Sequence, residues 1–134
     1  MNYNSFLIPI AIGLAGFVGT LFRYGLSLAY QKYSLTLPIG TLFANIAGCF
    51  IIGFISAIAE QGEILSPEMR IILATGFCGG FTTMSSMIYE TTQFLRDGEL
   101  FYASLYFSLT ITLSFFAFIL GFIIVKLIFK PIEV

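Results

Sequence analysis

Four long stretches of this chain, residues 6–22, 33–59, 71–89 and 100–125, carry no charged side chain. A helix needs about 20 apolar residues to cross the hydrocarbon core of a bilayer, so each run, with its flanks, is long enough for one span. Lipid offers no partner for backbone N–H and C=O groups, and a helix satisfies its own. The connections at 31–37, 60–65 and 96–99 are short and suit antiparallel neighbours in a compact bundle. The expectation is an all-α integral membrane protein made of a single domain over residues 1–134. Its four transmembrane helices are expected at 5–30, 36–60, 67–97 and 99–129.

Composition agrees with that environment and removes several function classes. The chain is 58% hydrophobic and 10% charged, against about a quarter charged in soluble domains. Its net charge is -1 and its basic residues are scattered, so it offers no nucleic-acid surface. It has no histidine, and Cys49 and Cys78 both sit in apolar runs far apart in sequence. A zinc site, a CxxC redox pair and a Ser-His-Asp triad are therefore unsupported, and both cysteines are read as small residues buried in packing. Nucleophiles, bases and metal ligands do not cluster, so no enzyme is expected. The opening Met-Asn-Tyr-Asn-Ser has neither the positive segment nor the cleavage site of a signal peptide. The first run is accordingly read as a retained span.

The third run is the unusual one. Between Thr75 and Glu90 it combines the step Gly79-Gly80 with Thr82, Thr83, Ser85 and Ser86, a poor recipe for an unbroken helix. A break is predicted near 79–82, at mid-membrane. Such a break is tolerated where the freed backbone groups are buried in protein or line a polar cavity. The first half would then present carbonyls suited to a small hard cation, and the second would present N–H groups suited to an anion. A small-residue packing face accounts for the same residues equally well. Ser66-Pro67-Glu68 reads as the start of this span and Asp97-Gly98 as its end.

Polar residues elsewhere in the runs carry paired readings. Gly13, Gly16 and Gly19 let another backbone approach, and Arg23 beyond them is either a snorkelling anchor or a group used inside the assembly. Pro38 is expected in the first turn of the second span. Thr41, Asn45 and Gly48 share one face of that span, so the Asn45 amide must point into protein, as an interhelical hydrogen bond or as a ligand donor. Glu90 borders the third span and either snorkels or accepts hydrogen bonds while packed. Tyr106, Thr110 and Ser114 form a single row on the fourth span. They are either donors along a pore or hydroxyls bonded to their own backbone. Arg70, Lys126 and Lys130 fall on one side of the membrane, and Arg23, Lys32 and Arg96 on the other. That balance gives no orientation preference, so two copies inserted in opposite directions could pair about an axis in the membrane plane.

These residues together resemble a known family, the small bacterial fluoride channels called Fluc or CrcB. The resemblance runs through Gly13…Gly16…Gly19…Arg23-Tyr24 and Pro38-x-Gly40-Thr41-x3-Asn45-x2-Gly48-x4-Gly53. It continues through Gly76-Phe77-Cys78-Gly79-Gly80-Phe81-Thr82-Thr83-x-Ser85-x3-Tyr89-Glu90 and Tyr106-x3-Thr110-x3-Ser114. The resemblance implies a passive fluoride-selective channel of the cytoplasmic membrane that lowers cellular fluoride. It also implies an antiparallel, dual-topology homodimer with pores along the subunit interface. By the same resemblance, the backbone carbonyls of Gly79 and Thr82 from both copies hold a structural sodium ion (Na+) at the centre. Asn45 becomes a pore donor, and Tyr106, Thr110, Ser114 and Ser85 a polar track. Thr41 and Glu90 form a bonded pair beside the path, and Arg23 draws anions into the vestibule.

One departure bears on this. The family pattern Thr-Thr-Phe-Ser-Thr-Phe reads here Thr82-Thr83-Met84-Ser85-Ser86-Met87. Phenyl edges carry partial positive charge that can face an anion, whereas a methionine thioether supplies volume and weakly polarised methyl hydrogens. Met84 and Met87 are thus expected on the pore wall, either in a homodimer or in a heterodimer whose partner supplies the working path. Two rivals stand beside these. A small proton-coupled multidrug exporter relies on an acid deep in its first span, and residues 6–22 contain none. A non-conducting packing subunit is suggested only by the two methionines.

Overall fold

A computed structural model describes residues 4–33, 36–61 and 64–129. Lys130 of the charge tally, the first three residues, and parts of two connections at 34–35 and 62–63 lie outside the described residues. The chain is an all-α, multi-pass membrane protein. Its elements are α1 (Asn4–Tyr30), α2 (Ile39–Glu60), α3 (Pro67–Ile71), a π-helical stretch (Ile72–Cys78), α4 (Gly79–Phe81), α5 (Met84–Arg96) and α6 (Leu100–Ile128). Together they make four segments long and apolar enough to cross a bilayer, Phe6–Tyr30, Ile39–Glu60, Pro67–Arg96 and Leu100–Ile128. The third span therefore consists of two helical halves, α3 to α4 and then α5.

Local chemistry fixes where these helices begin and end. Ser66 is the N-cap of α3: its Oγ accepts from Met69 N at 3.3 Å, with Pro67 in the first position and Glu68 in the first turn. At the end of α5, Gly98 adopts φ 78, Gly98 N donates to Leu95 O at 3.2 Å and Glu99 N to Phe94 O at 2.8 Å. This paired closure by a left-handed glycine satisfies the last carbonyls before the chain turns into α6. Pro38 lies one position before the expected first turn, at the N-cap of α2 with ψ 73, because Ile39 opens the helix.

The spans are held by direct backbone contact. A Cβ on Gly19 would lie 2.2 Å from the Phe77 carbonyl oxygen, and one on Gly80 would lie 2.2 Å from that of Gly16. These contacts seat α1 against the first half of the third span. Gly13, which the sequence groups with Gly16 and Gly19, has nothing within 4 Å and takes no part in the contact. On the other side, a Cβ on Gly53 would meet Phe118 O at 2.2 Å and one on Gly121 would meet Phe50 O at 2.3 Å. α2 and α6 run in the same direction, and an ion pair from Lys126 Nζ to Glu60 Oε2 at 2.6 Å ties their ends. Helix association in lipid lacks a hydrophobic drive, so it depends on such close dispersion contacts and on hydrogen bonds. Cys78 is buried as expected for a packing residue, whereas Cys49 remains partly exposed because it faces a cavity.

Gly53→Ala is expected to force α2 and α6 apart and to cost about 1–3 kcal/mol of overpacking strain. Gly25→Ala, at a helical site with no atom within 4 Å, should not destabilise and gains the helix propensity of alanine. Thermal unfolding of the two purified variants in one detergent measures the difference.

Candidate functional site

The break falls on Thr82 and Thr83, just beyond the Gly-Gly step. Gly79 keeps helical angles, φ -62 and ψ -36, whereas Thr82 is extended at φ -86, ψ 156 and Thr83 at φ -152, ψ 114. Two adjacent β-branched residues favour extended backbone, and a threonine is well suited to cap the helix that follows. Thr83 does this for α5, its Oγ1 accepting from Ser86 N at 3.1 Å. Gly80 instead permits the contact with α1. The first half of the span closes with Thr82 N and Thr82 Oγ1 both donating to Cys78 O at 2.9 Å.

Asn45 holds this break from α2. Its Oδ1 accepts from Thr83 N at 2.7 Å and its Nδ2 donates to Thr83 O at 3.1 Å. One amide thus satisfies both backbone groups of the residue that leaves the helix. In a continuous helix Thr83 N would donate to the Gly79 carbonyl, and its diversion to Asn45 leaves that carbonyl without its usual donor. Gly79 is also exposed on the surface of the chain. Arg23 supplies a further bond that the sequence does not reveal: its Nε donates to Gly80 O at 3.2 Å. The guanidinium therefore caps a carbonyl at the end of the first half-helix, where a cation is favoured by the dipole.

Two cavities flank a line of hydroxyls. The first, of about 210 Å³, is lined among others by Asn45, Thr83, Met84, Met87, Thr110 and Ser114. The second, of about 280 Å³, is lined among others by Ser27, Gln31, Thr41 and Glu90. Between them, Thr110 Oγ1 donates to Tyr106 O at 2.8 Å, and Tyr106 OH donates to Glu90 Oε2 at 2.5 Å. Thr41 Oγ1 donates to the other carboxylate oxygen, Oε1, at 2.7 Å. Glu90 is therefore held by two hydroxyls from two different helices and does not simply snorkel. Ser114 differs from the rest of its row. Its Oγ is buried and, among the buried side-chain polar atoms of the described residues, is the one left without a protein partner.

The sequence-predicted residues thus divide by position. Asn45, Met84, Met87, Thr110 and Ser114 converge on the first cavity, and Thr41 and Glu90 on the second. Tyr106 is fully buried between them. Ser85 lies outside both linings and shares a 3.1 Å hydrogen bond with Thr83 Oγ1. Arg23 is also outside both linings and is engaged with Gly80. A hard cation at the break would find neutral carbonyl oxygen at Gly79 and Thr82, a donor type that suits sodium or another hard ion.

A helix broken at mid-membrane beside a cavity is a recurring feature of one class, the membrane proteins that move ions or solutes. Comparison with known proteins gives the family. The model of the CrcB-like protein, Camphor Resistance (CrcB) family matches residues 10–122, and the chain belongs to that family. A protein of Chlorobium luteolum named fluoride-specific ion channel FluC is 47% identical over 126 residues, covering 94% of this chain and 98% of its own. One of the same name from Chlorobium phaeobacteroides strain BS1 is 50% identical over 97 residues, covering 72% of this chain and 76% of its own. A third from Trichormus variabilis is 39% identical over 128 residues, covering 94% and 93%.

Asn45→Ala removes both partners of Thr83 at once. The expected loss is about 1–3 kcal/mol for each buried group left unpaired. It should appear as a lowered unfolding temperature together with faster amide hydrogen exchange at Thr83.

Proposed function

We propose that this chain forms a passive, fluoride-selective channel of the cytoplasmic membrane that lets fluoride leave the cell. The observation that carries this reading is Ser114, whose buried Oγ has no protein partner and whose side chain belongs to the same cavity lining as Asn45 and Thr110. Fluoride is small and binds its water tightly, so a path must replace that water with several donors. Ser114 offers an O–H, and Asn45 keeps a second amide N–H after giving one to Thr83. The amino end of α5 adds the positive side of its dipole. All these donors are neutral, which favours release as well as entry. The names carried by relatives that align over nearly the whole chain support the same ion.

The reading includes an antiparallel homodimer with its two paths along the shared face. It also includes a structural sodium ion held by the Gly79 and Thr82 carbonyls of both copies. Support comes from the exposed position of Gly79 and from the loss of its helical donor to Asn45. In this role the protein is an ion channel and not an enzyme. Met84 and Met87 form part of the cavity wall. Met87 is 2% exposed and Met84 66% exposed, so the outer methionine is open to contact with a second subunit.

Liposomes containing the purified chain alone should release fluoride rapidly, as followed with a fluoride electrode, and retain chloride. Ser114→Ala should slow release by roughly fivefold to tenfold, the value of one lost hydrogen bond of about 1–1.4 kcal/mol. Asn45→Asp, which places an acceptor-only charge where a donor stood, should stop it. Retention of fluoride by a correctly folded wild-type dimer would reject the homodimeric channel and direct attention to a related partner chain.

A further inference from the structure

We infer that the mid-membrane cavity is also a binding site for a soft monovalent cation of the silver or cuprous class, with Cys49, Met84 and Met87 as its ligands. The three side chains that bring sulfur to the 210 Å³ cavity come from two elements, Cys49 from α2 and the two methionines from α5. Met84 and Met87 are three residues apart on one helix face, so both thioethers can turn toward the same point. Met87 is already buried on the cavity wall, and Met84 is exposed and unbranched, with rotatable bonds enough to swing inward. Cys49 is a free thiol, and it is the sulfur that can become anionic.

The ligand set selects the ion. Thiolate and thioether donors favour soft d10 cations, whereas hard ions prefer carboxylate and carbonyl oxygen. On binding, the Cys49 thiol gives its proton to bulk water and the sulfur forms a bond to the metal. One thiolate with one monovalent cation is electrically neutral, so the pair avoids the large cost of leaving net charge in a low-dielectric interior. Zinc would leave a net positive charge there. No group of three His, Cys, Asp or Glu occurs among the described residues to neutralise it. Cys78 is buried and is not part of the cavity wall. This inference does not depend on which anion the protein conducts.

The test uses the full chain in detergent, in halide-free buffer, titrated with silver nitrate. Bound silver is counted after desalting, and sulfur coordination is read by X-ray absorption. Wild type should retain a single silver ion per chain with several sulfur neighbours. Cys49→Ser should weaken binding at least about tenfold, a loss that even outer-shell changes produce at metal sites. The volume-conserving Met84→Leu/Met87→Leu pair should keep its elution profile and lower the sulfur count around silver. Cys78→Ser should bind as wild type does. Unchanged binding in Cys49→Ser, loss in Cys78→Ser, or an unchanged sulfur count in the methionine variant would each overturn the site. If Cys49→Ser does not fold, the methionine pair alone decides.

Discussion

The two-way hydrogen bond between Asn45 and Thr83 is the interaction on which the rest of this protein depends. Leaving a helix at mid-membrane exposes a backbone N–H and C=O to hydrocarbon, at a cost of several kcal/mol for each group left bare. One carboxamide has one donor end and one acceptor end, and here both are used on the same residue. No hydroxyl could match both groups with the same geometry, and a carboxylate could serve only the N–H. The break can therefore be sharp, with α4 ending at Phe81 and α5 starting at Met84.

Several features follow from that clamp. Diverting Thr83 N to Asn45 frees the Gly79 carbonyl, and Arg23 takes up the Gly80 carbonyl next to it. Gly48 on α2 must stay bare, since a Cβ there would lie 2.2 Å from Thr82 Cγ2. α5, starting afresh at the break, carries Glu90 to where Thr41 and Tyr106 can both reach it. The polar groups around the break are thus committed to one another, and a buried exception gains meaning from that. Ser114 Oγ has no such commitment, and its residue lines a cavity.

Glycine has two separate duties here, and sequence alone does not tell them apart. The pair Gly79-Gly80 reads as a helix breaker, yet both residues are helical and the β-branched threonines after them turn the chain. Gly80 is required because α1 lies against it, as Gly53 and Gly121 are required where α2 meets α6. The π-helical stretch Ile72–Cys78 is likewise silent in the sequence. Its wider turn is a matter of backbone registration, and the side-chain pattern of an α-helix hides it.

The sequence by itself determined the environment, the number of spans and the class of residue at the site. Each of these follows from strictly local facts: the length of an uncharged run, a capping serine, or an amide that cannot be left bare in lipid. It also placed Thr41, Asn45 and Gly48 on one face and Tyr106, Thr110 and Ser114 on another, because helical periodicity fixes such relations. Only the tertiary structure decided which polar groups meet. That Asn45 clamps Thr83, that Arg23 caps Gly80 and that Glu90 joins two helices depends on contacts between residues far apart in the chain. Such contacts are set by how closely glycine-lined backbones approach, a distance that no single helix encodes.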